Sequence, residues 1–327
     1  MKVLVTGANG FVGAHLCRRL VERGADVRAL VRQGSDQSEL KGQSVDIVHG
    51  DILDLASLER ATQGCEQVYH LAANVKFFTR NPEAMRAANT QGTRNVLTAA
   101  RKAGVRIMIH TSTAAVLRRG TNSPSADETM LKDDHEAVGV YELSKLEADR
   151  VAMEACAEGL PVIIINLAAP IGPGDAKPSP IGHTIIQFLK GRFPVYTNSG
   201  LNVVDVRDAA EGHCLAAEKG TIGHRYILGG ENISLKDFLG VLGELSGVPS
   251  PTIQVPYALT LIGGVMGEIT GRLTNKEPLA CLASVRMGKY PHYVSIDKAK
   301  RELGYRPGPI RASLQEEIEW FRAHGMV

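Results

Sequence analysis

An apolar run that ends in a glycine-spaced turn opens the chain, Lys2-Val3-Leu4-Val5-Thr6-Gly7-Ala8-Asn9-Gly10-Phe11-Val12-Gly13, and it constrains the fold more than anything after it. A strand buried on both faces reads as a continuous hydrophobic run, and its immediate turn into a helix needs glycine where side chains would collide. Comparable runs recur at Val27 to Val31, Val45 to Val48, Gln67 to Leu71, Arg106 to His110 and Val162 to Asn166. Helical periodicities separate them at Phe11 to Arg23, Leu55 to Thr62, Pro82 to Lys102 and Val138 to Ala157. Strand alternating with helix predicts the α/β class, a doubly wound parallel sheet covered on both faces.

The 327 residues allow one large α/β domain or a nucleotide domain with a companion. After Pro161-Val162-Ile163-Ile164-Ile165, the segments Pro170-Ile171-Gly172-Pro173-Gly174 and Pro178-Ser179-Pro180 place turn formers where a regular helix would otherwise follow. The expected division is therefore a sheet domain over residues 1–168 and a smaller C-terminal domain, mainly residues 169–327, that binds the substrate. Asn202-Val203-Val204-Asp205-Val206 reads as a strand returning to the main sheet, with a helix from Arg207 to Glu218, so that 202–219 rejoin the first domain and the two interleave. Further helices are expected near Ser234 to Ser246, Leu279 to Met287, Asp297 to Leu303 and Ile310 to His324. The apolar stretch Ala258 to Met266 is shorter than the ~20 residues of a membrane-spanning helix. It predicts a core or lid helix, with an interfacial anchor as the alternative.

Thirty-seven Lys plus Arg against thirty-five Asp plus Glu leave a formal charge of +2, too small for a polyanion-binding surface, and no nucleic-acid partner is expected. The five cysteines are far apart and form no CxxC pair, which favours a reduced, cytoplasmic setting over a disulfide framework or a zinc site. The ten histidines show no metal spacing, and His110, His183 and His213 are expected to be packed or solvated. Neither a charged leader nor a cleavage pattern precedes the first strand, so no targeting segment is expected.

Gly7, Gly10 and Gly13, with Asn9, Phe11 and Val12 between them, stand where a first strand meets a first helix, the place where a Rossmann sheet holds a dinucleotide pyrophosphate. A tight βα turn without a ligand also favours glycine. The second strand ends in Arg32, where an acid would usually meet the ribose hydroxyls of NAD; a guanidinium there suits a 2′-phosphate, so NADP is expected ahead of NAD. A solvated surface arginine is the competing explanation. Asp51 and Ile52 follow the third strand and are expected at the adenine, while Leu71, Ala72 and Ala73 end the fourth and leave room for the cofactor backbone. Asp54 beside them competes as a helix cap.

Tyr141-Glu142-Leu143-Ser144-Lys145 spaces a phenol and an ammonium one helical turn apart on one face. A cation there is expected to lower the phenol from its usual ~10 toward a working acid or base. YxxxK alone is weak evidence, but Thr111-Ser112-Thr113 ends a strand about thirty residues earlier, at the carboxyl edge where α/β sites open. A hydroxyl there can orient a substrate oxygen. Asn89, in the helix before that strand, can bridge water to Lys145, or serve a local hydrogen bond.

On these motifs the chain resembles the extended short-chain dehydrogenase/reductase superfamily (NAD-dependent epimerase/dehydratase family) from end to end. Asn166 to Asp175 (NLAAPIGPGD), Leu201 to Asp208 (LNVVDVRD), Arg286-Met287 and Lys298 to Gly304 (KAKRELG) bring it nearest to the hopanoid-associated sugar epimerases, with dihydroflavonol 4-reductases and 3β-hydroxysteroid dehydrogenases as wider relatives. The resemblance implies Tyr141 as general acid/base, Lys145 as its activator and ribose anchor, Thr111, Pro170 and Ile171 at the cofactor, and a homodimer through the helices ending near Lys102 and Cys156. Thr113 stands where relatives usually carry serine, with Ser112 as the fallback donor. Sugar-nucleotide epimerases often place asparagine and arginine where Ala169 and Leu201 stand here, which argues for a more apolar or lipid-linked small-molecule substrate than a nucleoside-diphosphate sugar. Reversible hydride transfer at a secondary alcohol or ketone is the expected activity, with an epimerase or dehydratase that recycles its cofactor, or a non-catalytic dinucleotide sensor, as alternatives.

Overall fold

The computed structural model describes residues 1–118, 125–274, 278 and 280–327. In chain order the first part runs β1 (Lys2–Thr6), α1 (Phe11–Glu22), β2 (Asp26–Val31), β3 (Val45–His49), α2 (Leu55–Thr62), β4 (Gln67–His70), α3 (Pro82–Arg86), a π-helical turn (Ala87–Gln91), α4 (Gly92–Ala103), β5 (Ile107–Thr113), β6 (Ser125–Ala126), α5 (Gly139–Ala157) and β7 (Val162–Leu167). The second part continues with β8 (Ala169–Ile171), α6 (Pro180–Leu189), β9 (Val195–Tyr196), β10 (Gly200–Asp205), α7 (Val206–Lys219), β11 (Arg225–Leu228), β12 (Glu231–Ser234) and α8 (Leu235–Ser246). It ends with β13 (Ile253–Gln254), α9 (Tyr257–Thr274), α10 (Leu282–Met287), β14 (Tyr293–Val294), α11 (Asp297–Leu303) and α12 (Ile310–Ala323).

Seven strands form one parallel sheet in the order β11-β7-β5-β4-β1-β2-β3. Chain order reverses between β1 and β4, and there the crevice above the strand ends opens for a ligand. Alternate residues feed opposite cores: Val3, Val5, Ile163 and Ile165 pack beside α1 and α7, whereas Leu4, Val162 and Ile164 pack toward α2, α4 and α5. Both faces being covered, each strand reads as an unbroken apolar run, which is why the sequence marks the strands so clearly.

The structure departs from expectation in four places. Asn202 to Asp205 does not rejoin the main sheet; β10 lies in a separate three-stranded sheet, parallel to β8 and antiparallel to β12. α7 packs on the first core, joined there by Val204 of β10 and by Ala299 and Leu303 of α11, but the strand that returns to the main sheet is β11. The same apolar run satisfies either sheet, so pattern alone could not choose. Second, Pro178-Ser179-Pro180 starts a helix instead of preventing one: the Ser179 hydroxyl accepts from Gly182 N–H and Pro180 occupies the first turn of α6. Third, the helix expected from Pro82 to Lys102 is broken by the π turn, which holds the buried Asn89. The expected helix at Leu279 to Met287 begins at Leu282, and Leu279 itself lies outside the described residues. No helix among the described residues is long and apolar enough to cross a membrane.

Candidate active site

The glycine turn sits at the switch point, but two of its glycines answer first to the chain's own packing. A β-carbon on Gly7, whose φ is +69°, would lie 2.7 Å from the Ala72 nitrogen, and one on Gly13 would lie 2.1 Å from the Gly7 carbonyl oxygen. Gly10 caps α1 without a capping side chain, and no acid stands in the first turn. The positive end of a twelve-residue helix is thus left open, with backbone N–H groups suited to a phosphate. The Asn9 amide is tied to Ser35 Oγ at 3.2 Å and the Asp36 carbonyl at 2.7 Å, fixing the turn against the loop after β2. Phe11 meets the His15 ring edge-on, and His15 Nε2 lies 2.9 Å from the Pro173 carbonyl, so α1 touches the segment that enters the second domain.

The remaining residues of the expected cofactor site line this edge with differing freedom. Val12 packs against the first core. Arg32 is exposed immediately past β2. One Asp51 oxygen accepts from Leu53 N–H at 2.8 Å, and Asp54 caps α2 by accepting from Ala56 N–H at 3.0 Å. Ile52 lies over Gly92, where a β-carbon would come within 2.7 Å of its Cδ1. Leu71 and Ala72 donate their N–H groups to the Thr6 carbonyl and hydroxyl, and Ala73 follows half-buried. Pro170 is half-buried, but the Ile171 side chain is fully buried in the core of the small sheet, so it cannot touch a ligand without repacking.

Tyr141 stands in the first turn of α5, where the Thr113 hydroxyl hydrogen-bonds its phenol oxygen. Thr113 in turn accepts from Ala115 N–H at 3.2 Å. Burial pushes the phenol up to about 12, with Glu142 and Asp149 adding to the rise and Thr113 opposing it. Burial is the largest of these influences, and the expected lowering by Lys145 is not among them; the Lys145 Nζ donates to the Thr111 carbonyl at 2.8 Å. Burial pushes Lys145 itself down to about 8, with Asp149 pulling the other way. Ser112 is no fallback for Thr113. Alternation along β5 turns it to the opposite face, where its hydroxyl is buried without a hydrogen-bond partner among the described residues.

Asn89 has a local employment. Its amide accepts from Asn74 N–H at 2.7 Å and donates to the Asn74 carbonyl at 3.0 Å and Ser144 Oγ at 2.9 Å. It thereby fastens the loop after β4 to α5 beside Tyr141. The π turn is what allows an asparagine at this point to face inward.

A buried polar layer that sequence reasoning missed lies beneath these groups. Asp149, one turn beyond Lys145, accepts from Arg225 of β11 at 3.0 Å and lies 3.3 Å from His110 Nε2, without hydrogen-bond geometry. Burial alone would raise the Asp149 carboxyl, but His110, Arg225 and Lys145 hold it below the usual carboxylate range. The His70 ring is 5.6 Å from that of His110 and bridges Thr6 and Thr93, at 2.7 and 3.0 Å. His213 Nε2 lies 3.0 Å from Thr111 Oγ1, and burial lowers this histidine to about 4. The i,i+4 continuation Tyr141, Lys145, Asp149 was visible in the sequence; the histidines, far apart in the chain, carried no comparable signal. Both His110 and His213 are packed, as expected of them.

Residues 3–229 match the family described as the NAD dependent epimerase/dehydratase family. The chain is 39% identical to a "Putative dihydroflavonol 4-reductase" of Synechocystis, covering 99% of this chain and 95% of that one. It is 34% identical to "Sterol demethylase protein B" of Methylococcus capsulatus, covering all of both. Among solved structures, that of gox2253 superposes with a TM-score of 0.89 at 39% identity, over 99% of each chain. With the switch-point glycine turn and the Thr113, Tyr141 and Lys145 cluster in place, these likenesses show that the chain belongs to the NAD-dependent epimerase/dehydratase family, within the extended short-chain dehydrogenase/reductases, and is an enzyme of that kind.

Proposed function

We propose that the enzyme transfers hydride reversibly at a secondary alcohol or ketone carbon, working chiefly as a carbonyl reductase. The observation that carries this reading is the Tyr141 phenol, hydrogen-bonded to Thr113 and one turn of α5 from Lys145. A neutral phenol at pH 7 is a proton donor, which is what a carbonyl oxygen needs as it becomes an alcohol. Thr113 orients that oxygen, and the Lys145 ammonium stabilises the phenolate left after the proton moves. Asn89 holds α5 and the loop after β4 in register around them.

The residues present fit a nicotinamide dinucleotide: the open, acid-free start of α1 suits a pyrophosphate, and Gly7 to Gly13 keep the turn free of side chains. When bound, that group supplies the hydride or accepts it. Arg32, exposed at the end of β2 with no acid in its place, supports NADP over NAD. The substrate is apolar or lipid-linked: Ala169 and Leu201 offer neither amide nor guanidinium to a nucleotide, and the sterol and flavonol named for the relatives are of similar character. Residues 169–327 would form its binding domain, and a homodimer through α4 and α5 and a cytoplasmic location complete the reading.

The family description equally supports an epimerase or dehydratase, in which reducing equivalents return to the substrate within one turnover. Purified enzyme separates the two. A net loss of nicotinamide absorbance with added NADPH and a panel of ketones is expected. Product formed with retained, unconsumed cofactor would establish the rival. A protein whose cellular role survives Tyr141→Phe but not disruption of Gly10 would instead be a sensor.

A further inference from the structure

Helix α9 is built inside out. Its inward face carries glycine: a β-carbon on Gly264 would lie 3.0 Å from Val285 Cγ2, on Gly267 1.9 Å from the Ala280 carbonyl oxygen, and on Gly271 2.9 Å from the Phe78 ring. The outward face carries Leu259, Ile262, Met266, Ile269 and Leu273, with Val265 beside them. Steps of three and four residues align these side chains in one stripe. All are exposed, Met266 by 61% and Leu273 by 78%. A contiguous apolar stripe left in water marks a surface that something covers.

The rim of the stripe says what. Lys289 Nζ lies 5.4 Å from the Tyr257 ring and 4.9 Å from the exposed Tyr290 ring, at the N-terminal end of α9. Arg286 is exposed on α10, which packs against α9. Arg272 is exposed on α9 itself, and Lys76 and Arg80 are exposed in the loop whose Phe78 lies under Gly271. Against these five cations the same described segments carry one acid, Glu268, 3.1 Å from Arg272. Aromatic and basic residues around an apolar helix face are the features of a helix lying in a bilayer interface. A second copy is the poorer occupant, because two-fold pairing of a patch brings its own cationic rim against itself.

The surface is continuous with the candidate active site. Phe77, next to Phe78, meets the Tyr141 ring edge-on at 5.7 Å. Gly139, at the start of α5, approaches Ala283 of α10, where a β-carbon would lie 3.3 Å from the Ala283 Cβ. We infer that α9 is an interfacial helix that seats the enzyme on an anionic lipid bilayer, with the Tyr141 end of α5 beside the membrane. At 1.5 Å per residue its eighteen residues make a rod of about 27 Å, lying along the surface and not across it.

Flotation of the full chain with vesicles tests this, using phosphatidylcholine alone and phosphatidylcholine mixed equally with phosphatidylglycerol. The wild type is expected to float with the mixed vesicles, to bind pure phosphatidylcholine weakly and to be released by high salt. Ile262→Asp with Met266→Asp should cut binding by about tenfold or more, and Arg286→Glu with Lys289→Glu by about tenfold. Thermal melting and NADP(H) binding, measured on each variant, confirm that it folds. Absence of wild-type binding, equal binding to both vesicle types, or undiminished binding of the Ile262/Met266 variant would overturn the inference. So would sedimentation showing a wild-type dimer that the Ile262/Met266 variant dissociates, since a second copy would then cover the stripe.

Discussion

Helices α5 and α9 are nearly equal in length, 19 and 18 residues, and opposite in what they hide. α5 buries Glu142, Ser144, Lys145 and Asp149, whereas α9 buries glycine and leaves its large apolar side chains in water. Both arrangements cost free energy: unpaired buried charge by several kcal/mol, exposed apolar area by about 25 cal/mol per Å². In α5 the cost is offset inside the molecule, since Lys132 and Val138 N–H donate to Glu142 at 2.8 and 2.7 Å and Arg225 pairs with Asp149. In α9 nothing among the described residues offsets it. A helix with ordinary amphipathicity tells mainly about the core, while one that violates the pattern points to chemistry or to contact with something else.

The largest effect should come from the α5 side. Tyr141→Phe is expected to lower kcat/KM by roughly 10³- to 10⁴-fold in NADPH oxidation with unchanged dinucleotide binding, and a loss under tenfold would remove the phenol from the reaction. Asp149→Ala leaves Arg225 and Lys145 buried without their carboxylate, so urea unfolding should report a destabilisation of about 3–5 kcal/mol. Thr113→Ala should lower kcat by about 10²-fold, and Thr113→Ser should recover most of it, in steady-state assays with a ketone substrate.

A pH profile is a subtler probe. Lys145 is held at about 8, below the ordinary lysine value, so its ammonium is lost as the pH rises through 8 and kcat/KM should fall on that limb. Asp149 is the charge that favours the ammonium; Asp149→Asn should move the limb to lower pH, and a limb that stayed put would detach it from Lys145. The smallest effect belongs to α9, where Met266→Ser should change unfolding free energy by about 0.5 kcal/mol or less. A large loss there would mean that Met266 is packed and the contrast between the helices false.

The strands were legible because burial on both faces leaves few ways to write them, and the Tyr141, Lys145 and Thr113 cluster because helix and strand periods place side chains predictably. The partners of β10 were not legible, because Asn202 to Asp205 satisfies either sheet. α6 was missed because Ser179 and Pro180 terminate one conformation and initiate another with the same residues. The surroundings of Tyr141 were half legible: spacing shows a neighbouring cation but not the depth of burial, which is the largest influence on the phenol. His70, His110 and Arg225 meet α5 only through the order of strands β4, β5, β7 and β11, which no local pattern encodes.

The π turn at Ala87–Gln91 fixes the length of the chain here, independently of its composition. Such a turn is a regular helix carrying one surplus residue, so deleting a single residue would let the hydrogen bonds relax into an unbroken α-helix. The repair would swing Pro82 to Arg86 by about 100° around the axis relative to α4 and pull Asn89 away from Asn74 and Ser144. A shortened variant would gain a better helix and lose its grip on the loop beside Tyr141, so this stretch can exchange side chains far more readily than it can change its residue count.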